Sequence, residues 1–215
     1  MHPLASVFEQ IYRNGRWANG SGSGSDPANT ERYRVFVERF IVQNSIQTVV
    51  DLGCGDWRSS SLIDWSRVGY HGVDVVESVI ARNQRRYQAG NIRFAQLNDE
   101  HELPHADLLI VKDVLQHLPN SEIHRMSGFL ARFHLALVTN TVTSDLYRPD
   151  GTVVRIEEVN TDVPAGFMRP VDVLGPPFNW PGEEVLRYSC PWPRLGARET
   201  KSTALIRTPL TDVRG

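Results

Sequence analysis

The sequence predicts an α/β domain built on a doubly wound, mostly parallel sheet with helices on both faces. Three observations carry this. Thr48-Val49-Val50 is β-branched and continuously apolar, as a strand buried on both faces of a parallel sheet should be, and it runs into Asp51-Leu52-Gly53-Cys54-Gly55-Asp56. Two glycines one residue apart let the backbone turn sharply off that strand without a Cβ in the way. About 20 residues later, Tyr70-His71-Gly72-Val73-Asp74 reads as a second short strand that ends in an acid. A third apolar run, Leu108-Leu109-Ile110-Val111, ends at Lys112-Asp113, and helical patterns separate the strands. Asp51, Asp74 and Asp113 therefore fall at strand ends, where open α/β sheets bind their ligands.

The elements follow in order. Residues 3–14 suit a short amphipathic helix through Leu4, Val7, Phe8 and Ile11, with Tyr12 near its end. The run Gly20-Ser21-Gly22-Ser23-Gly24-Ser25 fits a flexible linker and a mobile flap equally. Residues 26–30 cap a helix over 31–44, in which Tyr33, Phe36, Val37, Phe40 and Ile41 repeat at helical spacing. A helix over 76–89 precedes the third strand, 92–97, which ends at Asn98-Asp99. After Asp113 comes a short helical turn that Pro119 stops, then a helix over 122–131 and a strand over 134–140. Two late strands are expected near 184–188 and 203–206. The intervening segment, about 141–182, is rich in proline and glycine and reads as an insertion. Its Phe167, Met168, Arg169, Phe178, Asn179 and Trp180 either wall a site or cover one end of the sheet.

Composition narrows the function. A chain of 215 residues suits one domain, 30–215, preceded by a helix and Gly/Ser segment over 1–29. With 23 basic against 25 acidic residues there is no overall basic field, so nucleic acid is not an expected partner. Among those basic residues only Lys112 and Lys201 are lysines. Cys54 and Cys190 lie far apart and form no disulfide framework, which makes a reducing cytoplasm the simplest compartment. No signal-like segment opens the chain, and no run approaches the roughly 18 apolar residues that span a bilayer. A homodimer is the default oligomer.

The ligand class follows from the turn. Asp74 stands where a carboxylate takes both hydroxyls of a ribose. A dinucleotide fingerprint needs a third small residue where this chain has Arg58 beside Trp57, and Asp51 and Asp56 would repel a pyrophosphate. A cationic adenosine ligand suits the site better. On these residues the segment over 30–140 resembles the class I S-adenosylmethionine-dependent methyltransferases, as does Leu115-Gln116-His117-Leu118 after the fourth strand. The Gly/Ser run resembles the amino-terminal element of a bacterial subgroup of them. That resemblance implies a Rossmann-like, seven-stranded sheet and S-adenosylmethionine as cofactor. The cofactor residues it implies are Asp51, Gly53, Cys54, Gly55, Asp56, Trp57, Asp74, Val75 and Lys112, with Asn98 and Asp99 toward the adenine.

Methyl transfer from a sulfonium requires alignment of the acceptor and often removal of its proton. His117 is the candidate general base, and the alternative is that it only packs. Asp113, four residues earlier, would share its face if the turn is helical, and could orient the imidazole or hold a metal. Asp113, Asp145, Asp150, Asp162 and the histidines could supply ligands for Mg²⁺, although their spacing is not compact. Tyr12, Arg169, Phe178 and Trp180 are the candidate acceptor residues, suited to a sugar face. The chain is also similar to small bacterial methyltransferases of polysaccharide pathways, including those of mycobacterial methylmannose polysaccharide, which implies a saccharide hydroxyl as acceptor. No Asn-Pro-Pro-Tyr follows the fourth strand, which disfavours transfer to an amide or adenine nitrogen. Another small-molecule acceptor, and a non-catalytic protein on the same scaffold, stay open.

Overall fold

The computed structural model describes residues 2–17, 20–99, 103–130, 132–147, 150, 152–156, 158–192 and 197–208. The central apolar runs become strands because alternate residues along each fill two separate cores. In β1 (Thr48–Leu52) and β4 (Leu108–Lys112), Val50, Leu52, Leu109 and Val111 face one core, while Val49, Leu108 and Ile110 face the other. Phe8 and Ile11 of α1 (Ala5–Arg13) and Ile123 and Met126 of α4 (Asn120–Leu130) close the first core. Tyr33, Val37 and Phe40 of α2 (Pro27–Gln43) close the second. The third helix, α3 (Glu77–Tyr87), contributes Val79 to one and Ile80 to the other.

The remaining strands are β2 (Gly69–Asp74), β3 (Ile92–Gln96), β5 (Leu135–Tyr147), β6 (Val153–Ile156), β7 (Gly182–Trp192) and β8 (Ala197–Arg207). Seven of them follow the order β3-β2-β1-β4-β5-β8-β7, and β6 pairs with β5 off that path. Strands β1 to β5 are parallel, whereas β8 runs antiparallel to both β5 and β7. Strand order reverses between β1 and β4, so their carboxyl ends border the crevice where such sheets take ligands. Among the described residues no helix is long and apolar enough to cross a membrane.

The late strands β7 and β8 run longer than the 184–188 and 203–206 expected, and two further boundaries that bear on the site also depart from expectation. Helix α2 begins at Pro27 rather than at 31, because Asp26 accepts the Ala28 N–H at 3.0 Å as the cap and Pro27 takes the first helical position. Residues 141–147, expected within the insertion, instead prolong β5, which pairs with β8 from Leu135↔Arg207 to Leu146↔Ala197. The antiparallel β6 then returns along β5, pairing Tyr147↔Val153 through Ser144↔Ile156. The insertion proper therefore begins beyond β6.

That shorter insertion folds back over the turn after β4. Gly166 N–H donates to the His117 carbonyl at 2.8 Å, and Val171 N–H to the Thr141 carbonyl at 2.7 Å. Arg169 ties the segment down by donating to the Leu115 carbonyl (2.6 Å), the Asn120 side-chain oxygen (2.8 Å) and the Thr161 carbonyl (3.0 Å). Arg169→Leu is expected to leave those buried acceptors unpaired and lower stability by ~3 kcal/mol, read as a shift of the urea midpoint at unchanged slope.

Candidate active site

The turn after β1 is a left-handed one held from three sides. Gly53 and Gly55 have φ of 74° and 55°, conformations that side chains resist. A Cβ on Gly53 would collide with Val114, and one on Gly55 would fall 2.6 Å from the Ser21 hydroxyl. Gly55 N–H donates to Asp74 Oδ2 at 3.0 Å, while the Asn83 amide donates to the Gly55 carbonyl at 2.7 Å. Strand β2 and helix α3 thereby set the loop's path.

Two buried carboxyls flank this turn. Asp74 accepts Val76 N–H through its other oxygen at 3.0 Å, and Asp51 accepts the Tyr70 hydroxyl at 2.5 Å and the Ser60 hydroxyl at 3.4 Å. Burial raises both to about 6 against these hydrogen bonds. Neither has an ion-pair partner among the described residues. Such a pair suits a positively charged ligand, which would relieve the cost of ionising both.

The Gly/Ser run lies directly on the turn. Ser21 N–H donates to Asp56 Oδ2 at 3.1 Å, and Asp56 N–H returns a bond to the Ser21 hydroxyl at 2.8 Å. The Tyr12 hydroxyl joins Ser21 at 2.7 Å, and Lys112 Nζ donates to the Gly24 carbonyl at 2.8 Å. A Cβ on Gly24 would lie 2.6 Å from the Asp113 carboxylate, so glycine there permits the close approach.

At the end of β4, Asp113 takes a left-handed φ of 58° and sits between the chain's two lysines. Lys201, 1% exposed, donates to Asp113 Oδ1 at 2.7 Å and Thr141 Oγ1 at 3.0 Å and pairs with Glu199 at 3.2 Å. Burial alone would raise Asp113, but the two ammonium groups prevail and hold it down at about 2. Its carboxylate is thus committed to the lysines and does not orient His117. The left-handed residue also breaks the helical spacing that would have aligned the two.

His117 closes a tight helical turn, Leu115–His117, with its ring centroid 4.7 Å from that of Trp17. Burial pushes its pKa down to about 4 against the opposing charge of Asp113. The imidazole is neutral at physiological pH, and among the described residues its buried Nδ1 has no hydrogen-bond partner.

One cavity of about 840 Å³ joins these features. The glycine turn through Trp57 lines it, together with Tyr12, Asp74, Val75, Lys112, Asp113 and His117. Trp57 nevertheless keeps its ring among Tyr70, Tyr87 and Phe94, at 5.3, 4.9 and 5.2 Å, and so belongs largely to the core. Asn98 and Asp99 are exposed and stand off the cavity, where Leu97 takes their place. Arg169, Phe178 and Trp180 are also outside it: the first tethers the insertion, and the two aromatics pack in the core, Phe178 against His124 at 5.1 Å. The proposed metal acids have dispersed partners, Asp145 on Arg155, Asp150 on Thr152 and Asp162 on Asn120 N–H. Among the described residues no three His, Cys, Asp or Glu side chains converge on a metal position.

Sequence reasoning missed Trp17, Asn83 and Lys201 in the site, while Ser21 and Met168 fall in the Gly/Ser run and the insertion, for which it left a functional and a bland reading open. Of the three missed, only Lys201 carried a signal, as one of two lysines in an arginine-rich chain.

No protein-family model matches the chain, and no curated protein does. Solved structures share its fold, which is the fold of S-adenosylmethionine-dependent methyltransferases. The magnesium protoporphyrin IX methyltransferase of Synechocystis PCC 6803 with bound S-adenosylmethionine aligns at a TM-score of 0.59 and 14% identity over 96% of this chain and 98% of that one. The N-methyltransferase NodS of Bradyrhizobium japonicum WM9, in complex with S-adenosylhomocysteine, aligns at 0.58 and 16% identity over 96% and 98%. A Burkholderia thailandensis 1,6-didemethyltoxoflavin-N1-methyltransferase aligns at 0.56 and 17% identity over 95% and 87%. A looser match to the methyltransferase domain of bacterial CtHen1, at 0.44, spans 64% of that chain, under two thirds of its length.

Carboxyl-detected NMR titration is expected to give midpoints near pH 6 for Asp51 and Asp74 and one far below the ordinary carboxylate range for Asp113. Lys201→Met should move the Asp113 midpoint upward, since one of its two cations is gone. His117 has the opposite linkage to a paired group: its folded value of about 4 lies below the unfolded 6.5, so it contributes a loss of stability as pH falls through that window.

Proposed function

We propose that this protein is an S-adenosylmethionine-dependent methyltransferase acting on a hydroxyl of a small-molecule acceptor. The observation that carries the reading is the pair of buried carboxyls without an ion pair among the described residues, Asp51 and Asp74, beside the glycine turn in a cavity that also holds a neutral His117. Neighbours of the same fold crystallised with S-adenosylmethionine or S-adenosylhomocysteine support it.

The residues present fit that cofactor. Each Asp74 oxygen accepts one backbone N–H and retains a lone pair for a ribose hydroxyl, and the negative charge around the turn suits a sulfonium and an ammonium. When bound, S-adenosylmethionine supplies an electrophilic methyl group whose leaving group is a neutral thioether. The protein has three tasks. Asp51, Asp74 and the Gly/Ser run hold the donor end; the aromatic cover of Tyr12 and Trp17 limits water; and His117 accepts the acceptor's hydroxyl proton on a ring nitrogen. The depressed pKa keeps that nitrogen free of a proton at working pH, at the expense of basicity.

A saccharide hydroxyl is the proposed acceptor. Phe178 and Trp180 do not support it from the core, whereas Trp17, beside His117, offers an aromatic face to a sugar ring. Met168 brings the insertion to the same wall.

Calorimetry with S-adenosylmethionine and with NAD tests the reading, and only the first is expected to bind. Asp74→Ala should weaken S-adenosylmethionine by ~1.5 to 3 kcal/mol, and unchanged affinity would place the ribose elsewhere. His117→Ala should cut turnover about 10²-fold while the cofactor still binds. With S-adenosylmethionine saturating, so that Asp51 and Asp74 stay ionised beside it, the acid limb of kcat should fall at about pH 4, where the imidazole protonates, rather than at the ordinary histidine value.

A further inference from the structure

Among the described residues, the lysine and arginine side chains that line the cavity pair with carboxylates, with one exception. Arg58 meets Asp26 at 3.4 Å, Arg125 meets Glu122 at 2.6 Å, and Lys112 and Lys201 share Asp113. Arg16 also lines the cavity, yet among the described residues no carboxylate pairs with it. Its guanidinium lies over the ring of Phe167, 4.8 Å from the centroid, and that ring is 49% exposed.

Both residues are anchored to the His117 turn. The neighbour of Arg16, Trp17, packs tilted at 42° against the His117 ring, and Gly166 N–H, one residue before Phe167, donates to the His117 carbonyl at 2.8 Å. Arg16 and Phe167 therefore form a lip on the His117 side of the cavity. A guanidinium over an aromatic face keeps its N–H donors in its own plane, free to take two oxygens of one anion. Arginine suits that fork geometry better than lysine does.

We propose that the acceptor carries a carboxylate or phosphate, received by Arg16 at this lip, with Phe167 and Trp17 flanking the rest of the molecule. The proposal rests on the methyl-transfer reading and adds the acceptor's charge. It makes the cavity electrostatically polar: among the described residues, acids without an ion pair at the donor end attract a cation, and an arginine without one at the acceptor end attracts an anion. The sign difference separates the two ligands before any close contact forms.

The test uses full-length protein saturated with S-adenosylhomocysteine and titrated calorimetrically with matched probes. Glucuronate and glucose 6-phosphate are compared with glucose, and 4-hydroxybenzoate with 4-hydroxybenzyl alcohol. At least one anion should bind ~10-fold or more tightly than its neutral counterpart, and which one does identifies carboxylate or phosphate as the recognised group. Arg16→Gln should abolish that preference without altering S-adenosylhomocysteine affinity, and Arg16→Lys should restore part of it. Equal binding of charged and neutral probes would overturn the proposal. So would an Arg16→Gln variant that loses S-adenosylhomocysteine, since Arg16 would then serve the donor. Failure of the parent protein to bind S-adenosylhomocysteine at all would overturn the methyl-transfer reading, and this inference with it.

Discussion

Negative charge held at the tips of adjacent parallel strands, with no ion pair among the described residues and only the more distant Lys112 acting on Asp51, is the constraint around which this molecule is organised. Asp51 and Asp74 stand at the carboxyl ends of β1 and β2, both buried, and hydrogen bonds from Tyr70, Gly55 and Val76 only partly offset the loss of water. A protein selected for stability alone would neutralise such a pair or replace it with apolar side chains. Here the acids are preserved in a preformed cavity, which makes them a standing electrostatic preference for a cationic ligand. The third acid, Asp113, is treated in the opposite manner. Two lysines clamp it, so its charge is spent internally and its role is to hold the end of β4 in a left-handed turn.

The same economy explains how the chain's outlying segments become parts of the site. The amino-terminal helix and the Gly/Ser run contribute no strand, yet Tyr12, Ser21 and Gly24 reach Asp56 and Lys112 through side-chain and backbone hydrogen bonds. From the other end of the chain, the insertion beyond β6 reaches the His117 turn through Gly166 and Arg169. His117 is therefore enclosed by two segments distant in sequence, and its depressed pKa follows from that enclosure. Opening either segment would hydrate the imidazole and return its pKa toward the ordinary value, which couples cover and proton affinity.

Much of the central sheet was legible in the sequence because its signals are local. A β-branched run followed by glycine, then an acid after a second short strand, specifies backbone conformation residue by residue, and β1, β2, β3 and β4 fall within a residue or so of expectation. The extension of β5 was not legible, because Thr141 to Tyr147 become a strand through pairing with β8, some 60 residues later in the chain. Arg169 and Trp180 looked functional for a sound reason: large or charged side chains in a proline-rich segment need an explanation. The explanation proved to be packing and carbonyl capping, which depend on where the segment lands.

By itself, the sequence determined the class of fold, the place of the glycine turn and the three acids at strand ends, since each depends on short-range backbone preference and on the two-residue period of a strand. Tertiary structure alone decided which charges meet. It joined Lys201 to Asp113 across 88 residues, took Asp113 away from His117, set Trp17 rather than Trp180 beside the imidazole, and left Arg16 without a carboxylate among the described residues. Burial and pairing depend on distances through space, and no pattern along a single chain encodes them.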